Sequence, residues 1–203
     1  MAEWKGAVPT KQEQREQKQR AMLRTAARIF NKKGFHNTSL DEIAKELGVT
    51  KAALYYYVRS KDELLYQCIK LTYECGTRAR RIAQDHEGSA LERFRIMYRH
   101  FMIGLMTEHG AYTTAGDIQA LPEEQQAELS KARRLFDQYS RGLLRDAIQE
   151  GSLRPVDIRI ASNFFLGAIN WILRWHDEEE TQSPEEIADL FLDLFFRGIQ
   201  VPG

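Results

Sequence analysis

The chain has 203 residues, 43% of them hydrophobic and 29% charged, which is the composition of an ordinary soluble globular protein with length enough for a substantial core. No run of about 18 apolar residues exists to span a bilayer, and the N-terminus lacks the apolar stretch of a signal peptide, so a cytoplasmic protein with no membrane partner is expected. The 29 basic and 29 acidic side chains cancel unevenly: residues 1–60 carry twelve Lys/Arg against six Asp/Glu, leaving 17 against 23, so a head of net +6 sits on a body of net −6. That asymmetry suits a small nucleic-acid-reading unit joined to a larger unit with another task.

Residues 1–20 are polar, with Gln, Glu, Lys and Arg alternating from Lys11. Two readings stand for them: a frayed, solvated extension of the next helix, or an arm whose Lys11, Arg15, Lys18 or Arg20 reaches phosphate or the minor groove of DNA. Met22, Leu23, Ala26, Ile29 and Phe30 recur at helical spacing, and their helix is predicted to run to about Lys33 and stop at Gly34. Ser39 with Glu42 forms a capping box ahead of Leu40, Ile43, Ala44 and Leu47, the apolar stripe of a second helix. Gly48 supplies the left-handed residue that ends it, Val49 is read as a buried plug, and Thr50 caps a third helix from Lys51 to Tyr57.

The second and third helices make a helix-turn-helix. Ala53, Leu54 and Val58 are expected to pack inward, leaving Thr50, Lys51, Ala52, Tyr55, Tyr56 and Tyr57 outside. Those residue types suit a helix laid in the major groove. Lysine neutralises phosphate, hydroxyls donate to phosphate oxygens, and a small alanine lets the backbone approach a thymine methyl or a base edge.

The run from Met22 to Leu65 resembles the DNA-binding domain of the TetR/AcrR family of bacterial transcriptional regulators. The matching pieces are Met22-Leu23, Ala26, Ile29-Phe30, Gly34-Phe35, Thr38-Ser39, Ile43-Ala44, Gly48-Val49, Leu54-Tyr55-Tyr56-Tyr57, Ser60-Lys61 and Glu63-Leu64-Leu65. Val58 stands where the family usually has Phe. The resemblance implies an all-α protein with an N-terminal arm and helix-turn-helix domain over residues 1–60 and a helical effector-binding and dimerisation domain over 61–203. It adds Thr38, Ser39 and Lys61 to the expected DNA contacts. It also implies a regulator, most commonly a repressor, that needs no cofactor and answers to a small-molecule effector; a regulator of drug efflux answering to another hydrophobic or aromatic ligand, and an architectural DNA binder with no effector, are the alternatives.

Further along, Ser60 and Glu63 form a second capping box, opening a long helix that should reach about Gln84 and serve both halves of the protein. Cys68 and Cys75 are seven residues apart on it, so their backbones stand roughly 10 Å apart, too far for a disulfide. After a break from His86 to Ser89, Leu91, Phe94, Tyr98, Phe101 and Leu105 mark another helix, ending at Gly110. A short helix over Tyr112 to Ala120 follows, then one opened by Pro122 and running to Gly151, one from Asp157 to about Trp175, and a last one behind the capping box Ser183 to Glu186. Roughly nine helices result, with no strand pattern and no repeat.

Between Ile187 and Ile199 the strongly polar positions are Asp189, Asp193 and Arg197, one narrow stripe on an otherwise apolar helix. A helix apolar nearly all round is buried on more than one side, and a second subunit is the expected cover. The preceding helix is similar, so the two predict a four-helix dimer interface that includes Phe165, Ile169, Ile172, Leu190, Phe191, Leu194 and Phe195. A two-fold dimer also suits the head, because two recognition helices so related read a palindromic operator.

For the effector, Phe101, Met102, Met106, Phe136, Tyr139, Asn170, Trp171 and Arg174 are the expected pocket residues; Met97, Tyr112 and Trp175 extend the same apolar set. Each taken singly reads as core, and together they suit an apolar chamber. Arg159, Asn163, Gly167, Asn170 and Arg174 recur at spacings of four and three, as a solvent face or as polar groups aimed into a pocket or across a dimer. Gly167 to Trp171, Arg174-Trp175 and Ser183 to Asp189 are similar to a subgroup of the family governing fatty-acid, steroid or phenylacetate catabolism, which implies an acyl-CoA effector. An anionic group of that effector is expected to pair with Arg174 or with Arg95, Arg99, Arg141 or Arg145. No HExxH, Glu-x-x-His, GxSxG, Cys/His ligand spacing or phosphate-cradling Gly loop occurs, so neither catalytic nor metal-binding residues are expected.

Overall fold

The computed structural model describes residues 9–107, 115–176 and 181–199. The expected stop at Gly110, Tyr112 and the residues 177–180 lie outside them. Among the described residues every regular element is helical: α1 (Lys11–Lys33), α2 (Leu40–Glu46), α3 (Lys51–Tyr55), α4 (Lys61–Asp85), α5 (Ala90–Thr107), a 3-10 helix (Ala115–Ala120), α6 (Glu123–Gln149), α7 (Ile158–Trp175) and α8 (Pro184–Ile199). The all-α expectation therefore holds, and the short helix before Pro122 is of the tighter 3-10 kind.

Local capping chemistry sets the starts. Ser39, Ser60 and Ser183 each accept a hydrogen bond from the amide three residues on, at 3.1, 3.1 and 3.2 Å. At Ser183 the box is reciprocal, since its own amide donates to Glu186 at 2.7 Å. Glu63 instead accepts from the Arg59 amide at 2.6 Å, and Glu42 is bridged to Lys33 of α1. Within the described part of the polar N-terminal stretch, the extension is an ordered helix rather than a frayed one. Thr10 and Glu13 form a complete capping box, which holds the Glu13 carboxyl below its usual range through the Thr10 amide first, and α1 is helical from Lys11 onward.

Two hydrophobic cores result, and α4 runs through both. Leu64, Leu65, Cys68 and Ile69 pack with Met22, Phe30, Ile43, Leu54 and Val58 in the head, while Cys75, Ala79 and Ala83 pack with the body. The head core also takes in Ile118 and Leu121 from the 3-10 segment and Leu129 of α6, so it crosses the division expected at residue 60. Both cysteines are free and buried, and burial alone pushes the Cys68 thiol far up, leaving it a protonated packing group.

In the body, α5 is central, packing against α4, α6, α7 and α8. Phe94, Tyr98, Phe165 and Phe195 form a continuous aromatic cluster, tilted at Phe94–Tyr98 (4.5 Å between centroids), edge-on at Tyr98–Phe165 (4.9 Å) and stacked at Phe165–Phe195 (4.4 Å). The Tyr98 hydroxyl lies 2.8 Å from the Ser140 hydroxyl, satisfying both inside the core.

This packing corrects four of the expected interface residues. Phe165, Ile169, Ile172 and Phe195 are buried in the chain's own core, because the strongest apolar stripe of each helix turns toward α5. The faces left open carry Ile160, Phe164 and Trp171 on α7 and Leu190 and Leu194 on α8, with Phe164 70% and Leu194 71% exposed. Phe191 is half-buried, its ring stacked 6.3 Å from Trp175.

Candidate nucleic-acid interface and effector region

The turn between α2 and α3 is closed by a Schellman pair: the Gly48 amide donates to Lys45 O at 3.1 Å and the Val49 amide to Ala44 O at 3.0 Å. This geometry requires the positive φ of +66° at Gly48, a backbone state that any side chain would strain. Thr50 then caps α3 by accepting from the Ala53 amide at 3.3 Å. Leu54 and Val58 anchor α3 in the head core, as predicted. Val49 and Ala53 do not, since both are exposed: α3 is only five residues long, and its single inward-facing residue is Leu54.

Ser39, Thr50, Lys51, Ala52, Tyr55 and Tyr56 are all exposed, and together they form one outward surface of the helix-turn-helix. Tyr56 is the most open of the aromatics on this surface, at 69%, and meets Tyr57 edge-on at 5.2 Å; Tyr57 is half-buried. Lys51 pairs with Asp41 of α2 at 2.7 Å, an interaction that raises the lysine's pKa through the hydrogen bond first and the charge second.

Two of the expected DNA contacts are turned away from that surface. The Thr38 side chain is buried and donates to Gly34 O at 2.9 Å. The Lys61 ammonium donates to Phe35 O and Thr38 O, both at 2.9 Å, and sits 4.2 Å from the centroid of the Phe35 ring. Both side chains fasten the loop that aims α2, because that loop's carbonyls lack helical partners and need donors. Of the arm residues named from the sequence, Lys11, Arg15 and Lys18 form a basic face of α1 that borders Tyr56 and Tyr57, a neighbourhood that sequence reasoning did not place. The Thr10-x-x-Glu13 capping signal could have placed it.

The effector residues divide. Phe101 and Met102 are buried, and Met106, Phe136 and Tyr139 are half-buried against the same core. Phe101 and Phe136 meet at 5.0 Å over Gly76, where a Cβ would come within 3.2 Å of the Phe136 ring. Asn170, Trp171 and Arg174 are corrected: they lie on the outer face of α7, where the Arg174 guanidinium covers the Trp171 ring at 4.8 Å. With Phe165, Ile169 and Ile172 facing in, helical geometry places these three outside, along with the rest of the polar stripe Arg159, Asn163 and Gly167.

Of the other expected arginines, Arg99 makes two bonds to Asp189 at 2.7 and 3.2 Å, Arg141 pairs with Asp137 at 2.9 Å, Arg95 covers Phe196 at 4.6 Å, and Arg145 is exposed on α6. A different arginine carries an unmet donor. The Nε of Arg93 on α5 and the hydroxyl of Tyr139 on α6 are both buried with no hydrogen-bond partner among the described residues. Burial raises the Tyr139 pKa, opposed by the charges of Arg93 and Arg80, so these three groups share one electrostatic neighbourhood.

Comparison with known proteins accounts for this combination of a basic head and a helical body. Residues 22–68 match bacterial regulatory proteins of the tetR family, and residues 87–199 match the tetracyclin repressor-like C-terminal domain. The chain belongs to the TetR family. It is a DNA-binding transcriptional regulator, and TetR regulators bind operator DNA and small-molecule effectors. Over 191 residues this TetR-family chain is 21% identical to the fatty acid metabolism regulator protein of Bacillus subtilis (strain 168), covering 92% of this chain and 97% of that one. It is similar in structure to PfmR, a TetR family transcriptional regulator from Thermus thermophilus, at 28% identity and a TM-score of 0.70 over 87% of this chain and 97% of that one. It is also similar to AibR in complex with isovaleryl coenzyme A and operator DNA, at 28% identity and a TM-score of 0.66 over 87% and 96% of the two chains.

Proposed function

We propose that this TetR-family protein is a homodimeric repressor of lipid or acid catabolism genes, released from a palindromic operator by an acyl-CoA-type effector. The observation that carries the effector class is the pair of unmet polar groups on Arg93 and Tyr139 beside Arg80, next to an aromatic body core. A buried polar group without a partner costs about 1–3 kcal/mol, and an anionic ligand with an apolar tail removes that cost while burying its tail among rings such as Phe101 and Phe136. The likeness to AibR with isovaleryl coenzyme A, extending over nearly the whole chain, supports the thioester class.

Dimerisation is supported by the open faces of α7 and α8. Between them, Val156, Ile160, Phe164 and Leu194 line a mostly apolar groove of about 400 Å3, which Asp157, Ala161 and the edge of the otherwise buried Phe195 complete. Gly167 lies farther along α7, and a Cβ there would meet nothing within 4 Å, so a partner helix has room to approach closely. An apolar face of this kind is hidden by a copy of the same chain in a closed two-fold assembly.

Isothermal titration with short-, medium- and long-chain acyl-CoAs tests the effector. The expected result is saturable binding to at least one, weakened about tenfold or more by Arg93→Gln, because the neutral amide cannot form a charge-assisted bond. Silence across the panel at saturating ligand would discard the thioester reading and leave a TetR-family regulator answering to another hydrophobic ligand or to none.

A further inference from the structure

The N-terminal ten residues of α1 do not contribute to either core. The first buried residue of the helix is Met22, so residues 11–20 project about 15 Å beyond the packed head. Such a projection in Gln, Glu, Lys and Arg would ordinarily fray, yet it is fixed at both ends. The Thr10–Glu13 box caps its start, and the Gln19 amide donates to Gln67 of α4 at 3.2 Å.

Its charges are sorted by face. Lys11, Arg15 and Lys18 fall at i, i+4 and i+7, in line with Met22 and on the side turned toward the head, while Glu13 and Glu16 fall on the opposite side. There the two acids are occupied, the Glu13 carboxylate by a 2.6 Å bond from the Thr10 amide and Glu16 by a 2.8 Å bond from Gln12. The basic face and the end of α3 enclose a cleft of about 340 Å3, lined among the described residues by Lys11, Arg15, Lys18, Tyr56 and Tyr57, with neutral glutamines and no carboxylate. The Arg15 guanidinium stands 5.5 Å from the centroid of the Tyr56 ring, so arm and recognition surface are in direct contact.

We propose that this cleft seats backbone phosphate of the operator duplex beside the bases that α3 faces, and so lengthens the DNA footprint beyond the helix-turn-helix. Three like charges held on one face repel one another, and nothing among the lining residues offsets them; a phosphate run does. The two tyrosine hydroxyls supply neutral donors to the same oxygens. The contact carries no base information, so it strengthens binding to every sequence alike. The inference rests on the DNA-binding function and is independent of the effector reading.

The test compares the full-length protein with Lys11→Gln/Arg15→Gln/Lys18→Gln by fluorescence anisotropy across a salt series, on two duplexes: the DNA upstream of its own gene and a scrambled sequence of equal composition. The triple variant should bind both duplexes about tenfold or more weakly, with the slope of log K against log salt shallower by about one to three per protomer. Arg15→Gln alone should lower the slope by about one. A control triple outside the cleft, Lys131→Gln/Arg133→Gln/Arg134→Gln on α6, should behave as wild type. Circular dichroism and sedimentation should be unchanged, because all six side chains are exposed. Unchanged affinity and slope would overturn the proposal, as would an equal loss from the α6 triple, which would show bulk charge at work. Wild-type protein that binds neither duplex at low salt would overturn it too, since nonspecific phosphate binding is what the cleft supplies.

Discussion

Lys51, the first residue of α3, holds Asp41 of α2 at 2.7 Å across the mouth of the helix-turn-helix. The lysine expected to meet a phosphate is therefore already engaged, by an exposed acid on the same surface of the helix-turn-helix. Both side chains are largely solvated, so the pair adds little to stability, and its effect falls on binding.

Asp41→Asn is accordingly predicted to tighten DNA binding by roughly three- to tenfold at low salt, since it frees Lys51 and removes a repulsive charge. Lys51→Ala and Tyr56→Phe should weaken it without loss of dimer. Anisotropy titrations alongside sedimentation check all three. Weakening by Asp41→Asn to the level of Lys51→Ala would mean that the pair positions α3 rather than restrains its lysine.

On α7, Phe164 and Phe165 are neighbours with opposite fates, one 70% exposed and the other 2% exposed. The double change Phe164→Glu/Leu194→Glu is predicted to give a folded monomer with near-wild-type melting of each chain and greatly reduced operator affinity. Phe165→Ala should instead lower stability by about 3–5 kcal/mol through an internal cavity. Sedimentation and denaturant melts separate the two outcomes; a stable dimer of the double variant would show that the open faces are not the interface.

That contrast also marks how far the sequence could be read. Caps, breaks and the helix-turn-helix were legible because they are local: Ser39, Gly48, Thr50, Ser60 and Ser183 act within their own turns. The Thr10–Glu13 cap is equally local, and the polarity of the stretch behind it gives no apolar stripe to mark the helix that it opens. The phase of α7 and α8 was not legible, because helices apolar on most sides give periodicity little to choose between, and packing on α5 decided that Phe165 turns in and Trp171 out. The roles of Thr38 and Lys61 depended on loop carbonyls, for Lys61 far away in sequence. The unmet groups of Arg93 and Tyr139 have no sequence signature.

The head and body share a core through Ile118 and Leu121, which suggests where an effector signal reaches α4. Leu121→Ala is predicted to cost about 2–4 kcal/mol and to raise amide exchange along the first half of α4. The nearby tie of Glu128 to Tyr66 and Lys70 is more exposed. Its carboxyl is held below the usual range, by the Tyr66 hydrogen bond first, so the tie is complete above the normal glutamate pKa and is lost as pH falls through the lowered value. Glu128→Gln should therefore change stability by no more than about 0.5 kcal/mol at neutral pH, far less than the apolar contact. Equal effects from the two variants in denaturant melts would contradict this ordering.

The measurement that tests the account most directly is a gel shift of the purified protein on the DNA upstream of its own gene, repeated with medium- and long-chain acyl-CoAs. A specific complex that one of the thioesters dissolves, and that free coenzyme A leaves intact, is the predicted result. A complex that persists at saturating concentrations of every thioester would contradict the account.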